Sequence, residues 1–158
     1  MKKSLIGIVC SFLFFNTANA IELSQEVIDK ATNPENAIAI YKDGEVFAST
    51  DTTLRPVLDY LEENKTMKGA FVFDRTVGKS EALLYVYGKA KFVYGETMSI
   101  TAQKILIRHR IEWKAGKLVG EILIPDNTDV RPCDKAVENI KKAKNAYLLF
   151  TEGNGETY

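Results

Sequence analysis

The chain has 158 residues, with 21 Lys and Arg against 21 Asp and Glu, 46% apolar residues and two cysteines. That balance leaves no basic stripe or high isoelectric point, so nucleic-acid binding has no electrostatic basis. Met1 to Ala20 reads as a secretory leader: Lys2 and Lys3 form the basic start, Leu5 to Phe15 the apolar stretch, and Ala18-Asn19-Ala20 the cleavage site. This apolar stretch is shorter than the roughly 20 residues that span a bilayer, and no later one is long enough. The expectation is therefore an exported protein, periplasmic or secreted, without membrane contact after cleavage. Val9 before Cys10 is bulkier than a lipid-attachment box wants. Residues 21–158 then form a single domain of 138 residues with 19 basic and 21 acidic side chains, a formal charge of −2. Cys133 is its lone cysteine, so an intramolecular disulfide is excluded.

Leu23 to Ala31 is a short amphipathic stretch, and Thr32-Asn33-Pro34-Glu35-Asn36 ends it. Ala37–Tyr41 and Glu45–Ser49 flank Lys42-Asp43-Gly44, which predicts a β-hairpin. Leu54, Val57, Leu58 and Leu61 recur at helical spacing, with Pro56 tolerated in the first turn and an end near Asn64. Ala70–Phe73 reads as a buried strand, Val77–Tyr87 as a helix, and Lys91–Tyr94 as another strand. A helix after Ser99 runs to about Arg110. Ile111–Lys114 and Lys117–Ile124 predict a second hairpin around Ala115-Gly116, followed by a loop at Pro125–Asp129 and a helix over Cys133–Lys144. Ala146–Phe150 reads equally as helix or strand, and Gly153–Tyr158 as a loose end. Strands alternating with helices of ten or more residues predict parallel pairing through right-handed crossovers, hence a sheet with helices on its faces.

Chemistry concentrates at Asp74-Arg75-Thr76-Val77-Gly78-Lys79, between an apolar run and a helical pattern. A strand-to-helix turn with a carboxylate, two cations and a glycine is a candidate anion site, because the first helical N–H groups favour negative charge. A capped junction accounts for the same residues: Asp74 would cap or pair with Arg75, and Gly78 would relieve packing. If the two feeding strands are parallel neighbours, a second helix start at Glu96-Thr97-Met98-Ser99 shares one crevice with the first. Asp74, Arg75, Gly78, Lys79 and Ser99 are then candidate ligand-binding residues. Asp74 or Glu96 could serve as acid or base, Lys79 as electrostatic stabiliser and Ser99 as positioning donor. Ser99 and Thr97 are also good N-caps in their own right.

Two other chemistries are not expected. Gly78-Lys79-Ser80 resembles a phosphate loop, but Phe73 stands where that motif needs its first glycine. His109 and Cys133 cannot assemble a Cys/His zinc site by themselves. No metal and no cofactor is expected.

From Ala37 to about Glu138 the motifs resemble the family called domain of unknown function 1893. Its Asp-Lys-x-Val-Gly-Lys-Ala-Ala turn is matched by Asp74-Arg75-Thr76-Val77-Gly78-Lys79-Ser80-Glu81, and its Ser-x-x-Ala helix opening by Ser99 and Ala102. Tyr41–Glu45 and Arg55–Leu58 look like its early segments. Pro132-Cys133-Asp134 reorders its late Cys-Pro-x-Glu segment. The resemblance implies a three-layer α/β/α sandwich with a mixed sheet, cytidine-deaminase-like. The His-x-Glu and Pro-Cys-x-x-Cys helix starts of true deaminases would be replaced by the turns at Asp74–Lys79 and Glu96–Ser99, so zinc-dependent deamination is not expected. The sequence therefore points to an exported α/β domain that binds a small anionic or nucleotide-like ligand between two helix starts. A metal-free enzyme and a non-catalytic protein-interaction module are the alternatives, and the oligomeric state stays open.

Overall fold

The computed structural model describes residues 25–152; the leader at 1–20 and the loose end at 153–158 lie outside them. The Asp43-Gly44 hairpin forms as expected. Both residues have positive φ, 52° and 91°, the two-residue turn that matches strand twist, joining β1 (Ile38–Lys42) to β2 (Glu45–Ser49). Helix α1 (Gln25–Ala31) precedes this hairpin, and α2 (Arg55–Asn64) follows it, with Pro56 in its first turn and left-handed Lys65 at its end.

Three strands then alternate with two helices: β3 (Phe71–Val77), α3 (Lys79–Gly88), β4 (Phe92–Ser99), α4 (Ile100–Arg108) and β5 (Glu112–Val119). The sheet order is β2-β1-β3-β4-β5; β3, β4 and β5 pair in parallel, and β1 is antiparallel to both neighbours. The chain is thus α/β with a five-stranded mixed sheet flanked by helices. Ile38, Ile40, Val72 and Val93 of the sheet meet Val57, Leu61, Leu84 and Leu106 of the helices in the main core. On the opposite face Ala31 of α1 packs with Ala39 and Phe73.

Four expectations need correction. Strand β3 continues through Asp74 to Val77, and β4 through Glu96 to Ser99, because the parallel ladder persists: Asp74 pairs with Gly95 and Val77 with Met98. Asp74 and Glu96 therefore stand within strands rather than on helix starts. The second hairpin does not exist. Gly116 sits inside β5, where a Cβ would come 2.8 Å from the Glu96 carbonyl oxygen, so this glycine permits a close strand approach instead of a turn. Finally, the helix expected over 133–144 is broken into α5 (Pro132–Ala136) and α6 (Ala143–Glu152). Val137 and Ala146 both pack against Leu83. Nine residues apart on one straight helix, they would point in opposite directions at about 100° per residue, and the break brings both to the core.

Candidate functional site

The start of α3 is capped by the chain's own carboxylates. Glu81 Oε2 accepts the Gly78 N–H at 2.9 Å, the spacing of half a capping box, and Asp134 Oδ1 accepts the Ser80 N–H at 2.8 Å from 54 residues away. The Ser80 hydroxyl lies 2.8 Å from Asp134 Oδ1 and 3.0 Å from Glu81 Oε2. Arg131 closes the cluster through one nitrogen, which donates to Glu81 Oε2 at 2.7 Å and Asp134 Oδ2 at 3.1 Å. Its Nε is buried without a partner among the described residues. Burial works against the guanidinium charge, yet Glu81 beside it holds its pKa above the ordinary value. Gly78 is where this cluster presses on the backbone: a Cβ there would stand 2.2 Å from Asp134 Oδ2 and 2.5 Å from an Arg131 nitrogen. Its φ of −97° needs no glycine, so close packing is the constraint.

This capped junction separates two pockets. The larger, about 380 Å³, is a cleft lined by Lys79, Ser99 and Thr101 together with Glu121, Lys135 and Glu138 of the segment between β5 and α6. It lies at the carboxyl ends of two adjacent parallel strands, as the shared-crevice expectation required. Lys79 Nζ donates to the Glu138 carbonyl oxygen at 2.6 Å, and burial lowers its pKa against the raising influence of Glu138 and Asp134. Ser99 is buried and caps α4, its Oγ accepting the Ala102 N–H at 3.0 Å.

The smaller pocket, about 40 Å³, lies at the end of β3 nearer β1 and is lined by Asp51, Thr52, Thr53, Asp74, Arg75 and Glu81, with Ala37, Ile38 and Val57. Asp74 reaches it by ordinary alternation, on the face that it shares with Val72, and the alternation breaks only beyond it. Val72 and Val77, an odd number of residues apart, both enter the main core, and Asp74 Oδ1 takes the Thr76 N–H at 2.9 Å. Its Oδ2 accepts a short hydrogen bond from the fully buried Tyr85 hydroxyl. Burial, and then the Glu81 charge, push the Asp74 carboxyl up to about 7, against the lowering effect of Tyr85, Thr76 and Arg131. Burial and the Asp74 charge raise Tyr85 well above the ordinary phenol range.

The expected constellation is therefore divided. Lys79 and Ser99 share the cleft, while Asp74 and Arg75 line the smaller pocket, and Gly78 lies between them under Arg131. Glu96 is exposed in β4, where its charge, after burial, raises the pKa of Tyr94; it lines neither pocket. Sequence reasoning passed over Arg131, Asp134, Tyr85 and Glu81. Only Glu81 left a local signal, an acid three residues beyond Gly78. Among the described residues, no group of three or more His, Cys, Asp and Glu side chains is arranged to hold a metal ion.

Comparison with known proteins places this architecture. No curated protein matches the chain. A crystal structure of a DUF1893 family protein from Thermotoga maritima superimposes with a TM-score of 0.73 at 17% identity, over 88% of this chain and 97% of that one, a likeness of fold. The model of the family described as domain of unknown function (DUF1893) matches residues 26–153, which contain every strand, both helix starts and the Arg131 cluster. The chain belongs to the DUF1893 family.

Proposed function

We propose that this domain binds a small anionic or nucleotide-like ligand in the cleft between the starts of α3 and α4. One observation carries the reading: Lys79, at one helix start, and Ser99 with Thr101, at the next, line a single cleft. Its volume, about 380 Å³, falls in the range of small-molecule sites, roughly 300–1,000 Å³. The ends of parallel strands are where such sheets usually hold ligands. Lys79 is the cation that the cleft offers to a phosphate or carboxylate, since Lys135 is ion-paired with Asp129, and Thr101 adds a hydroxyl. Glu121 and Glu138 can accept from ligand hydroxyl or amino groups, an arrangement that suits a phosphorylated sugar or nucleotide better than a bare anion. Because Asp134 and Glu81 already cap α3, the ligand meets the Lys79 side chain rather than the Gly78 and Ser80 amides.

The test is thermal shift with inorganic phosphate, ribose 5-phosphate and the nucleoside monophosphates, on wild type and Lys79→Ala. Stabilisation of the wild type and its loss in the variant are expected. Equal stabilisation of both proteins, or of neither, would sink the assignment. The metal-free acid–base alternative has one observation in its favour, the Asp74 carboxyl near 7 in its own pocket. It demands product formed from a bound compound and lost in Asp74→Asn. Export through residues 1–20 belongs to the same proposal, and N-terminal sequencing of the mature protein, expected to begin at Ile21, checks it.

A further inference from the structure

Strand β5 ends the sheet, and its outer edge is open. It pairs with β4 from Glu112 to Val119 and has no strand beyond it among the described residues. The Glu112 N–H points inward, donating to the Lys91 carbonyl at 3.2 Å. Backbone direction alternates along a strand, so the N–H and C=O groups of Trp113, Ala115, Lys117 and Val119 point outward, where no backbone group of a described residue meets them. A row of this kind is a template for another strand.

The exposed apolar side chains gather along the same edge. Among the described residues, the large ones are Ile100, Ile107, Leu118 and Leu123. Leu118 belongs to β5, and Leu123 follows shortly after its end. Ile100 and Ile107 share one stripe of α4, which packs on β5. Ile105 turns toward Leu83 of α3; about 200° further round the helix, Ile107 lies on the opposite flank, over the β5 edge. The charges divide by end: exposed Arg108 and Arg110 precede the strand, and exposed Glu121 follows it.

We propose that a second copy of this chain docks here, the two β5 strands pairing antiparallel about a two-fold axis at Gly116 and joining the two sheets into one. An axis through a residue sets outward groups against outward groups: Ala115 meets Lys117 of the second copy and Trp113 meets Val119, each pair occurring twice. Trp113 with Val119 is a favourable aromatic and β-branched pair. On the other face Lys114 lies against Leu118 and Glu112 against Gly120, so no like charges stand directly opposite, although lysines on an edge commonly deter pairing. Antiparallel pairing also brings Ile107 of one copy to Ile100 of the other, and the Arg108 to Arg110 turn of one to Glu121 of the other. An unrelated extended peptide would satisfy the backbone edge alone, whereas a second copy also covers the apolar flank and matches opposite charges at both ends.

The experiment is sedimentation equilibrium with residue-resolved amide exchange on the full chain over a range of concentrations. We expect a monomer–dimer equilibrium at micromolar protein, with exchange at Trp113, Ala115, Lys117 and Val119 slowing as concentration rises, and that at Lys114, Gly116 and Leu118, which already face β4, changing far less. Ile107→Lys, at a position 55% exposed and so harmless to the core, should weaken the dimer by about tenfold or more, since it buries an ammonium in each copy. Arg110→Glu should weaken it too, and Glu121→Arg added to the same chain should restore it. A protein that stays monomeric overturns the proposal, even if its edge binds an acidic peptide. So does a dimer that Ile107→Lys leaves intact, or one whose outward amides exchange at a rate independent of concentration. None of these readouts depends on what the cleft binds.

Discussion

Replacing Arg131 by methionine removes a cation while keeping most of the apolar stem, and so tests whether the α3 junction is held by its buried charge cluster. Arg131 lies 2.7 Å from Glu81 and 3.1 Å from Asp134, with side-chain exposures of 17%, 7% and 8% respectively. An exposed ion pair contributes about 0–1 kcal/mol. Breaking a buried pair leaves an uncompensated charge and costs about 3–5 kcal/mol. Here the exposures place the pair near the buried limit, whereas the Gly78 and Ser80 donors remain to hold the two carboxylates. We therefore expect a loss of about 3 kcal/mol. With a urea slope of about 1.5 kcal/mol per molar, the unfolding midpoint should fall by roughly 2 M at constant slope. Adding Glu81→Gln should recover part of the loss, because it removes one of the stranded charges. A midpoint shift below about 0.5 M would refute the reasoning, since the cluster would then behave as a solvent-screened surface pair.

Three more outcomes follow from the same geometry. Gly78→Ala forces a methyl group to within 2.2 Å of Asp134 Oδ2, so Asp134 must leave Ser80; a loss of about 2–4 kcal/mol in urea unfolding is expected, and a neutral substitution would show the cluster to be pliable. For Asp74, the native carboxyl titrates at about 7 and the unfolded one at its ordinary 3.8. The native state thus binds more protons, and this residue's contribution falls as pH rises from about 4 to 7, then stays level. Asp74→Asn, a mimic of the protonated acid, should be relatively stabilised at pH 8 over pH 4, by at most about 4 kcal/mol, and parallel pH–stability curves for the two proteins would contradict the assignment. Burial and the Glu81 charge push the Cys133 thiol up to about 11. Folded protein at pH 8 should therefore react with a thiol reagent at least tenfold more slowly than urea-unfolded protein, and equal rates would place the thiol in solvent.

Much of the fold was written in local patterns. The hairpin at Asp43-Gly44 depends on two residues that tolerate positive φ, and α2 on apolar spacing with a proline at its start. Both can be read because their causes lie within a few residues of one another. The strand–helix alternation after Ala70 likewise carries the parallel order of β3, β4 and β5, and with it the meeting of Lys79 and Ser99 in one cleft. Tertiary structure decided what local pattern leaves open. Strands β3 and β4 extend past their apolar cores because each finds a ladder partner, which moves Asp74 and Glu96 off the helix starts. Gly116 has a turn residue's identity but stands in a strand, since its reason is the approach of a neighbouring backbone. The junction at Gly78 is legible as a helix start from sequence alone. That its anion is supplied by Asp134, 54 residues away and clamped by Arg131, depends on a long-range contact. The division of one expected site into a cleft and an acidic pocket follows from that contact, because the buried cluster fills the space between them.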